Sequence, residues 1–189
     1  LLSVYQKWKD ICKEIPQRGW LFPENVVKWS AERGGFMSIR NAVPTDVPAM
    51  LEIYAYFVRE TAVSFEYEVP TQEEFARRLA EHTVQFPWLV WEENGEVLGY
   101  AYAGRPFERA AYHWCAEISC YLAAQVRGRG VGRKLYARIE ELLRKQGYRK
   151  VYAVVTSANE PSLAFHRALG YRPLAEFPAV GYKNGAWYG

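Results

Sequence analysis

Arg127-Gly128-Arg129-Gly130-Val131-Gly132-Arg133 is the stretch that decides how this 189-residue sequence is read. Glycine alternates there with Arg and Val, and an apolar stripe then sets in at Val131, Leu135, Ile139 and Leu142, the spacing of one helix face. The pattern predicts a long helix from about Gly130 to Gln146, with Glu140–Arg144 and Glu141–Lys145 as i,i+4 pairs and Gly147 as its stop. Ahead of the loop, His113 to Leu122 reads as a strand. A strand that enters a helix through glycines leaves unpaired amides and the positive end of the helix dipole at the loop, so this segment is predicted to cradle an anion. It is not a Walker A loop, because no Gly-x-x-x-x-Gly-Lys-Ser/Thr is present. Nor is it a dinucleotide fingerprint, because position 133 is Arg and no acidic residue stands about 20 residues past Gly128. What remains is Arg-x-x-Gly-x-Gly, from Arg127 through Gly130 to Gly132.

Outward from the loop the elements follow in order. Downstream, Val151-Tyr152-Ala153-Val154-Val155 reads as a buried strand, residues near 160–169 as a short helix, and Leu174 to Tyr182 as a returning strand. Upstream, Asn94-Gly95 is a hairpin signal between the strands Trp88-Leu89-Val90-Trp91 and Val97 to Tyr102. Thr71-Gln72-Glu73-Glu74 has capping-box spacing for a helix carrying Phe75 and Leu79. Before it, Ser38 to Val43 reads as a strand, Thr45-Asp46 as an N-cap, and Met50, Ile53, Tyr54 and Phe57 as one helix face. Residues 1–36 differ in texture and close on Gly34-Gly35, so they are read as an N-terminal extension to a domain over 37–189. Trp8, Trp20, Phe22 and Trp29 of the extension are expected to pack a short helix onto that domain.

Composition narrows the class. A net charge of +3 is too weak to mark a nucleic-acid surface, and the 50% apolar content is globular. Aromatic content is high, with 14 Tyr and 7 Trp, which suits a wet-edged pocket or a subunit interface. Cys12, Cys115 and Cys120 lack metal-ligand spacing and fit a reducing compartment rather than a disulfide framework. No apolar run is long enough for a membrane span, and Leu1-Leu2-Ser3 leads into charged residues rather than a signal-peptide core, so a cytoplasmic protein without membrane or nucleic-acid partners is expected. The opening Leu points to a fragment or processed product.

The glycine loop has two companions: Asn159-Glu160-Pro161-Ser162-Leu163-Ala164-Phe165-His166-Arg167-Ala168-Leu169-Gly170-Tyr171 after the next strand, and Glu117 on the strand before it. Together these resemble the GNAT acetyltransferase superfamily. Further stretches carry a closer resemblance to the phosphinothricin acetyltransferase branch: Phe86 to Val90 with Gly95-Glu96-Val97, Ala101-Tyr102-Ala103-Gly104, Ala111-Tyr112-His113-Trp114-Cys115-Ala116-Glu117 and Gly181-Tyr182-Lys183-Asn184-Gly185-Ala186-Trp187. The resemblance implies an α/β fold with a mixed, mostly antiparallel sheet flanked by helices, acetyl-CoA as co-substrate, no metal, a small amine acceptor and a homodimer. Such proteins continue past the Lys-Asn-Gly-x-Trp segment into a last strand, whereas this sequence stops at Gly189, leaving that strand to another segment or subunit.

Acetyl transfer to an amine needs a neutral nucleophile and a proton for the departing thiolate. By the resemblance, Glu117 faces the acceptor amine and His166 stands where many superfamily members place a tyrosine; the two share the acid/base work, with the base left open between them. The resemblance implies that the backbone of Cys120, Tyr121 and Leu122 pairs with pantetheine as an added strand does. The loop Arg127, Gly128, Arg129, Gly130, Val131, Gly132 and Arg133 would hold the pyrophosphate, and Asn159, Ser162 and Phe165 would border the pantetheine arm. Phe65, Arg105, Arg109, Tyr112 and Val155 are acceptor-pocket candidates, with Arg109 preferred for a distal anion. Plainer roles stand beside these: Asn159 and Ser162 as helix caps, Arg133 and Arg109 as solvated cations, Glu117 as a solvated strand residue or salt-bridge partner, His166 as a satisfied surface residue. Other readings are an acetyltransferase for a polyamine, peptide N-terminus or aminoglycoside, and a non-catalytic acyl-CoA-binding module.

Overall fold

The computed structural model describes residues 2–7, 27–30 and 36–189. Its centre is an antiparallel meander of β3 (Phe36–Asn41), β4 (Trp88–Glu93), β5 (Glu96–Gly104) and β6 (Cys115–Leu122). Asn94 and Gly95 both take positive φ, +52° and +85°, which gives the turn a twist that matches the flanking strands. Period-two alternation puts Leu89 and Trp91 on one face and Trp88 and Val90 on the other, all buried. The sheet is therefore covered on both sides.

On one face lies α3 (Val131–Lys145), whose Val131, Leu135, Ile139 and Leu143 share a core with Ile39, Leu89, Trp91 and Ile118. On the other lie α1 (Val47–Glu60) and α2 (Gln72–Thr83), with Met50, Tyr54, Val58, Phe75 and Leu79 against Trp88, Val90 and Tyr100. The Thr71 hydroxyl accepts from the Glu74 amide and caps α2 as its spacing predicts. Asp46 does something else. A single 3₁₀ turn precedes α1, and the Asp46 carboxylate takes the Arg40 guanidinium at 2.7 Å and the Val43 amide at 2.8 Å, tying β3 to the helix entry instead of capping it.

After α3, β7 (Lys150–Val155) pairs parallel with β6, α4 (Glu160–Ala168) follows, and β8 (Arg172–Phe177) returns. β7 and β8 are not neighbours. Between them, antiparallel to both, runs β1 (Leu2–Lys7), and the whole order is β2-β3-β4-β5-β6-β7-β1-β8, with β2 (Val27–Ser30) on the far edge. Residues assigned to an extension thus contribute strands at two places in the sheet. Tyr5 is 1% exposed in the core. Lys7 reaches the buried Glu140 carboxylate at 2.9 Å, which also accepts from Tyr171 Oη at 3.1 Å. Glu140 makes the expected i,i+4 pair with Arg144 at 3.4 Å but is held more closely by these two. The expected packing of Trp8, Trp20, Phe22 and the Trp29 side chain lies outside the described residues.

The single strand expected from Leu174 to Tyr182 is divided: β8 ends at Phe177, and β9 (Gly181–Lys183) and β10 (Ala186–Tyr188) form a separate hairpin turned by Asn184 and Gly185. Buried Lys183 docks this hairpin by donating to the Val58 carbonyl in the last turn of α1 and to the Ser64 carbonyl past its end.

Candidate active site

The ladder between β6 and β7 covers Cys115–Glu117 against Lys150–Tyr152 and then stops. Beyond it β6 stays with β5 as far as Leu122 opposite Gly99, while β7 stays with β1 as far as Val155 opposite Ser3. Each strand keeps one neighbour and turns an unpaired edge toward the other across a cleft of about 450 Å³. Ile118 to Leu122 form one wall, Ala153 to Thr156 the other, and the glycine loop closes one end.

Gly130 is the N-cap of α3 with φ +78°, and Gly128 has φ +73°. A Cβ at either would meet nothing within 4 Å, so both glycines serve the backbone turn and leave the amides open to close approach. Gly132 is different, since a Cβ there would press on the Phe165 ring at 3.3 Å and lie 3.6 Å from Leu122. Arg127 donates to the Leu122 carbonyl at 3.0 Å and packs over the Tyr56 and Phe57 rings, which fixes the loop's entry. Arg133 lines the cleft and is exposed; Arg129 turns away to Glu93 at 2.9 Å and is not among the lining residues.

From α4 come Asn159, Ser162, Phe165 and His166. Asn159 Oδ1 accepts from the Ser162 amide at 3.2 Å, so its capping role holds alongside its place on the wall. His166 is 4% exposed, with Nδ1 at 2.7 Å from the Ser162 carbonyl and Nε2 at 2.8 Å from Tyr136 Oη. Burial lowers its pKa. Tyr5 stacks on its ring at a centroid distance of 5.8 Å, and Tyr171 meets it edge-on.

Glu117 sits at the point where β6 and β7 part, on the sheet face of Ser119 and Tyr121. Burial raises its pKa, and among the described residues its carboxylate has no hydrogen-bond or ion-pair partner. The Cys120 thiol is pushed up to about 12 by burial, so it stays neutral and is a poor nucleophile. The acceptor candidates do not gather. Val155 lines the cleft, but Phe65 lies against Gly181 of the C-terminal hairpin, Arg105 donates to Gln85 at 2.8 Å, Tyr112 packs on Phe107, and Arg109 is exposed ahead of the 3₁₀ turn at 110–112.

Sequence reasoning gave no site role to Phe57, Ser119, Tyr136 or Thr156, all on the walls. Tyr136 falls within the helix's apolar stripe, where an aromatic reads as core. Thr156 has no signal in the sequence, but its hydroxyl is buried without a hydrogen-bond partner, which a polar group in the cleft would satisfy. That orphan, the two open edges and the amide-rich loop fit an extended chain of amides ending in a pyrophosphate, which is the make-up of acetyl-CoA. Among the described residues no group of His, Cys, Asp and Glu is assembled to hold a metal ion.

A family defined by the acetyltransferase (GNAT) domain matches residues 39–189. Phosphinothricin N-acetyltransferase of Streptomyces viridochromogenes is 35% identical over 152 residues, 80% of this chain and 83% of that protein. The L-methionine sulfoximine/L-methionine sulfone acetyltransferase of Salmonella typhimurium is 36% identical over 154 residues, 80% of this chain and 89% of that one. A crystal structure of a phosphinothricin acetyltransferase from Sinorhizobium meliloti in complex with acetyl-CoA superposes with a TM-score of 0.77 at 35% identity, covering 80% of this chain and 83% of that chain. The chain belongs to the GNAT family of acetyl-CoA-dependent N-acetyltransferases.

Proposed function

We propose that the chain transfers the acetyl group of acetyl-CoA to the α-amino group of a small L-amino acid or an analogue of the phosphinothricin or methionine sulfoximine type. The observation that carries this reading is the parted β6/β7 edge, ending at the Gly128–Gly132 amides and flanked by Glu117 and His166. The loop amides and Arg133 hold the pyrophosphate, the backbone of Cys120 to Leu122 pairs with the pantetheine, and Thr156 and Ser162 serve its amides. Both substrates are bound together and the amine attacks directly, because the neutral Cys120 thiol is unsuited to carry an acyl group. An amino acid arrives as an ammonium, and Glu117, desolvated and unpaired, takes its first proton. His166 serves the proton that passes from the attacking nitrogen to the departing sulfur.

We assign the acceptor's distal anion to Arg109, exposed in the loop before Tyr112, with Arg105 next in line. Glu66 is already paired with Arg78 at 2.6 Å and is not a spare anion for a polyamine. The protein works as a homodimer in the cytoplasm. The dimer is supported by β8, exposed along its whole length with Leu174 and Phe177 in it, and by the exposed Trp187 of the C-terminal hairpin. The free thiols of Cys115 and Cys120 suit a reducing compartment.

Calorimetric titration with acetyl-CoA, followed by thiol release across a panel of amino acids, sulfoximines, phosphinates and polyamines, tests the reading. It predicts cofactor binding without acceptor and thiol release with the amino-acid class. Release only with polyamines, or with no amine, overturns it.

A further inference from the structure

We infer that Tyr136, on α3, is the catalytic residue through which His166 exchanges a proton with the reacting atoms. This rests on the reading of the cleft as an acetyl-transfer site. A carbonyl oxygen only accepts hydrogen bonds, so the 2.7 Å contact between the Ser162 carbonyl and His166 Nδ1 puts the ring proton on Nδ1. Burial keeps the ring neutral, and Nε2 is therefore a bare acceptor. The one hydrogen of the Tyr136 hydroxyl fills it, at 2.8 Å, while the Ile118 carbonyl lies farther off at 3.4 Å. Both nitrogens of His166 are thus committed, Nδ1 also lying 3.3 Å from the Ser162 hydroxyl, and the polar contact of Nε2 on the cleft wall is the Tyr136 oxygen. Tyr136 lines that cleft, and its remaining lone pairs are unclaimed by the described residues. At 2% and 4% exposure, the pair is shielded from bulk water, so a proton placed on it is held there.

The chemistry balances. After Glu117 has taken the first ammonium proton, the free amine attacks, the C–N bond forms and the C–S bond breaks. The nitrogen's second proton goes to Tyr136 Oη as the phenol hydrogen moves to His166 Nε2, with Nδ1–H still held by Ser162. The reverse shift returns the Nε2 proton to Tyr136 and delivers the phenol hydrogen to the thiolate. Nothing is consumed beyond the amine and the thioester, and the net products are amide, thiol and the one proton released through Glu117.

The test is a double-mutant cycle with Tyr136→Phe and His166→Gln in the full chain, measuring kcat, KM for acceptor and acetyl-CoA affinity. Each single change is expected to lower kcat by about 10–10³-fold with cofactor affinity nearly unchanged, and the double variant to be no slower than the worse single one, because the two groups act in series. A Tyr136→Phe enzyme with normal kcat beside a slow His166→Gln enzyme overturns this inference alone. Losses that multiply in the double variant overturn it as well, since they mark independent roles. Normal kcat in His166→Gln removes His166 from the chemistry and this inference with it, whereas absence of thiol release in the parent removes the functional reading. If Tyr136→Phe does not fold, 3,5-difluorotyrosine at position 136 keeps the ring and hydroxyl but makes the phenol more acidic; an unchanged kcat then refutes the relay.

Discussion

Replacing Gly130 with Asp separates the start of helix α3 from the anion-holding role proposed for the loop. Gly130 has φ +78°, so any side chain there carries left-handed strain of about 1 kcal/mol. Aspartate is among the residues that tolerate this region best. Space is no obstacle, since a Cβ meets nothing within 4 Å. A carboxylate at a helix N-terminus returns about 0.3–1 kcal/mol through the dipole, so the two effects nearly cancel and the fold should be retained. Binding is another matter. A new negative charge about 4 Å from a pyrophosphate costs roughly 1–4 kcal/mol per like-charge pair, the range between water and a protein surface. The Kd for acetyl-CoA should then rise by about 10–10³-fold.

Calorimetry of parent, Gly130→Asp and Gly130→Asn with acetyl-CoA measures this, with thermal melting as the control for folding. Asn has nearly the same shape and the same tolerance of positive φ but no charge, so it should bind far better than Asp. Part of the Asp defect should also fade with added salt, because exposed charges are screened within about 10 Å at 0.1 M. Equal affinity for Asp and parent refutes the pyrophosphate assignment; equal loss in Asp and Asn refutes the electrostatic argument and leaves bulk as the cause.

Three further expectations follow from the geometry. Glu117→Gln should lower kcat by about 10²–10⁴-fold with acetyl-CoA affinity intact; and because burial raises the Glu117 pKa, its stabilising share is full below the ordinary carboxylate value and is lost as pH rises through the folded-state value. The Gln variant should accordingly melt higher than the parent at pH 7.5 and show no gain at pH 4; a lower Tm at pH 7.5 contradicts the desolvation. Tyr5→Ala empties a buried site that backs His166, at a cost of about 3–5 kcal/mol, or roughly 6–20 °C in Tm, while Tyr5→Phe keeps most of the stacking. A loss below about 1 kcal/mol in chemical denaturation would mean that β1 does not hold its place in the sheet. Arg109→Ala should raise KM for phosphinothricin-like acceptors about 10–100-fold and spare methionine sulfone, so an unchanged ratio of kcat/KM between the two classes makes Arg109 a solvated loop residue.

What could be read from the sequence was what neighbouring residues determine. The stripe from Val131 to Leu142, the Asn94-Gly95 turn and the Thr71 cap are local, and all three appear in the structure within a residue or two. The glycine loop was legible as the entry to that helix for the same reason, since spacing and the onset of the helix lie within a few residues of each other. The role of Glu140 was not, because the i,i+4 rule sees Arg144 and cannot see Lys7 and Tyr171 arriving from distant strands. Arg129 and Phe65 failed similarly: each has the right type and neighbourhood, but Glu93 draws one outward and the Gly181 turn draws the other away. Tyr136 was hidden by its own helical period, in which a ring at a core position gives no sign that its hydroxyl borders a cleft.

The N-terminal strand shows most plainly how a remote segment shapes the site. Parallel β6 and β7 can part only if β7 is held from its other side, since an edge strand that loses its sole neighbour has no ladder left. β1 supplies that hold along Ser3–Lys7 and at the same time is the one partner of β8 among the described strands, so it joins two elements that the described ladders do not otherwise link. Its side chains then reach two further parts. Tyr5 lies behind the His166 ring on α4, and Lys7 satisfies Glu140 on α3, the helix whose first turn lines the cleft and whose Tyr136 meets His166. Weakening β1 should therefore act on the cleft before it unfolds the chain: β7 loosens, the Tyr5 stack goes, and the orientation of His166 toward Tyr136 is no longer fixed. Cofactor held mainly by the loop amides would still bind while turnover declined, so a rising ratio of kcat loss to Kd loss across graded substitutions in Tyr5 and Lys7 is the behaviour this arrangement requires.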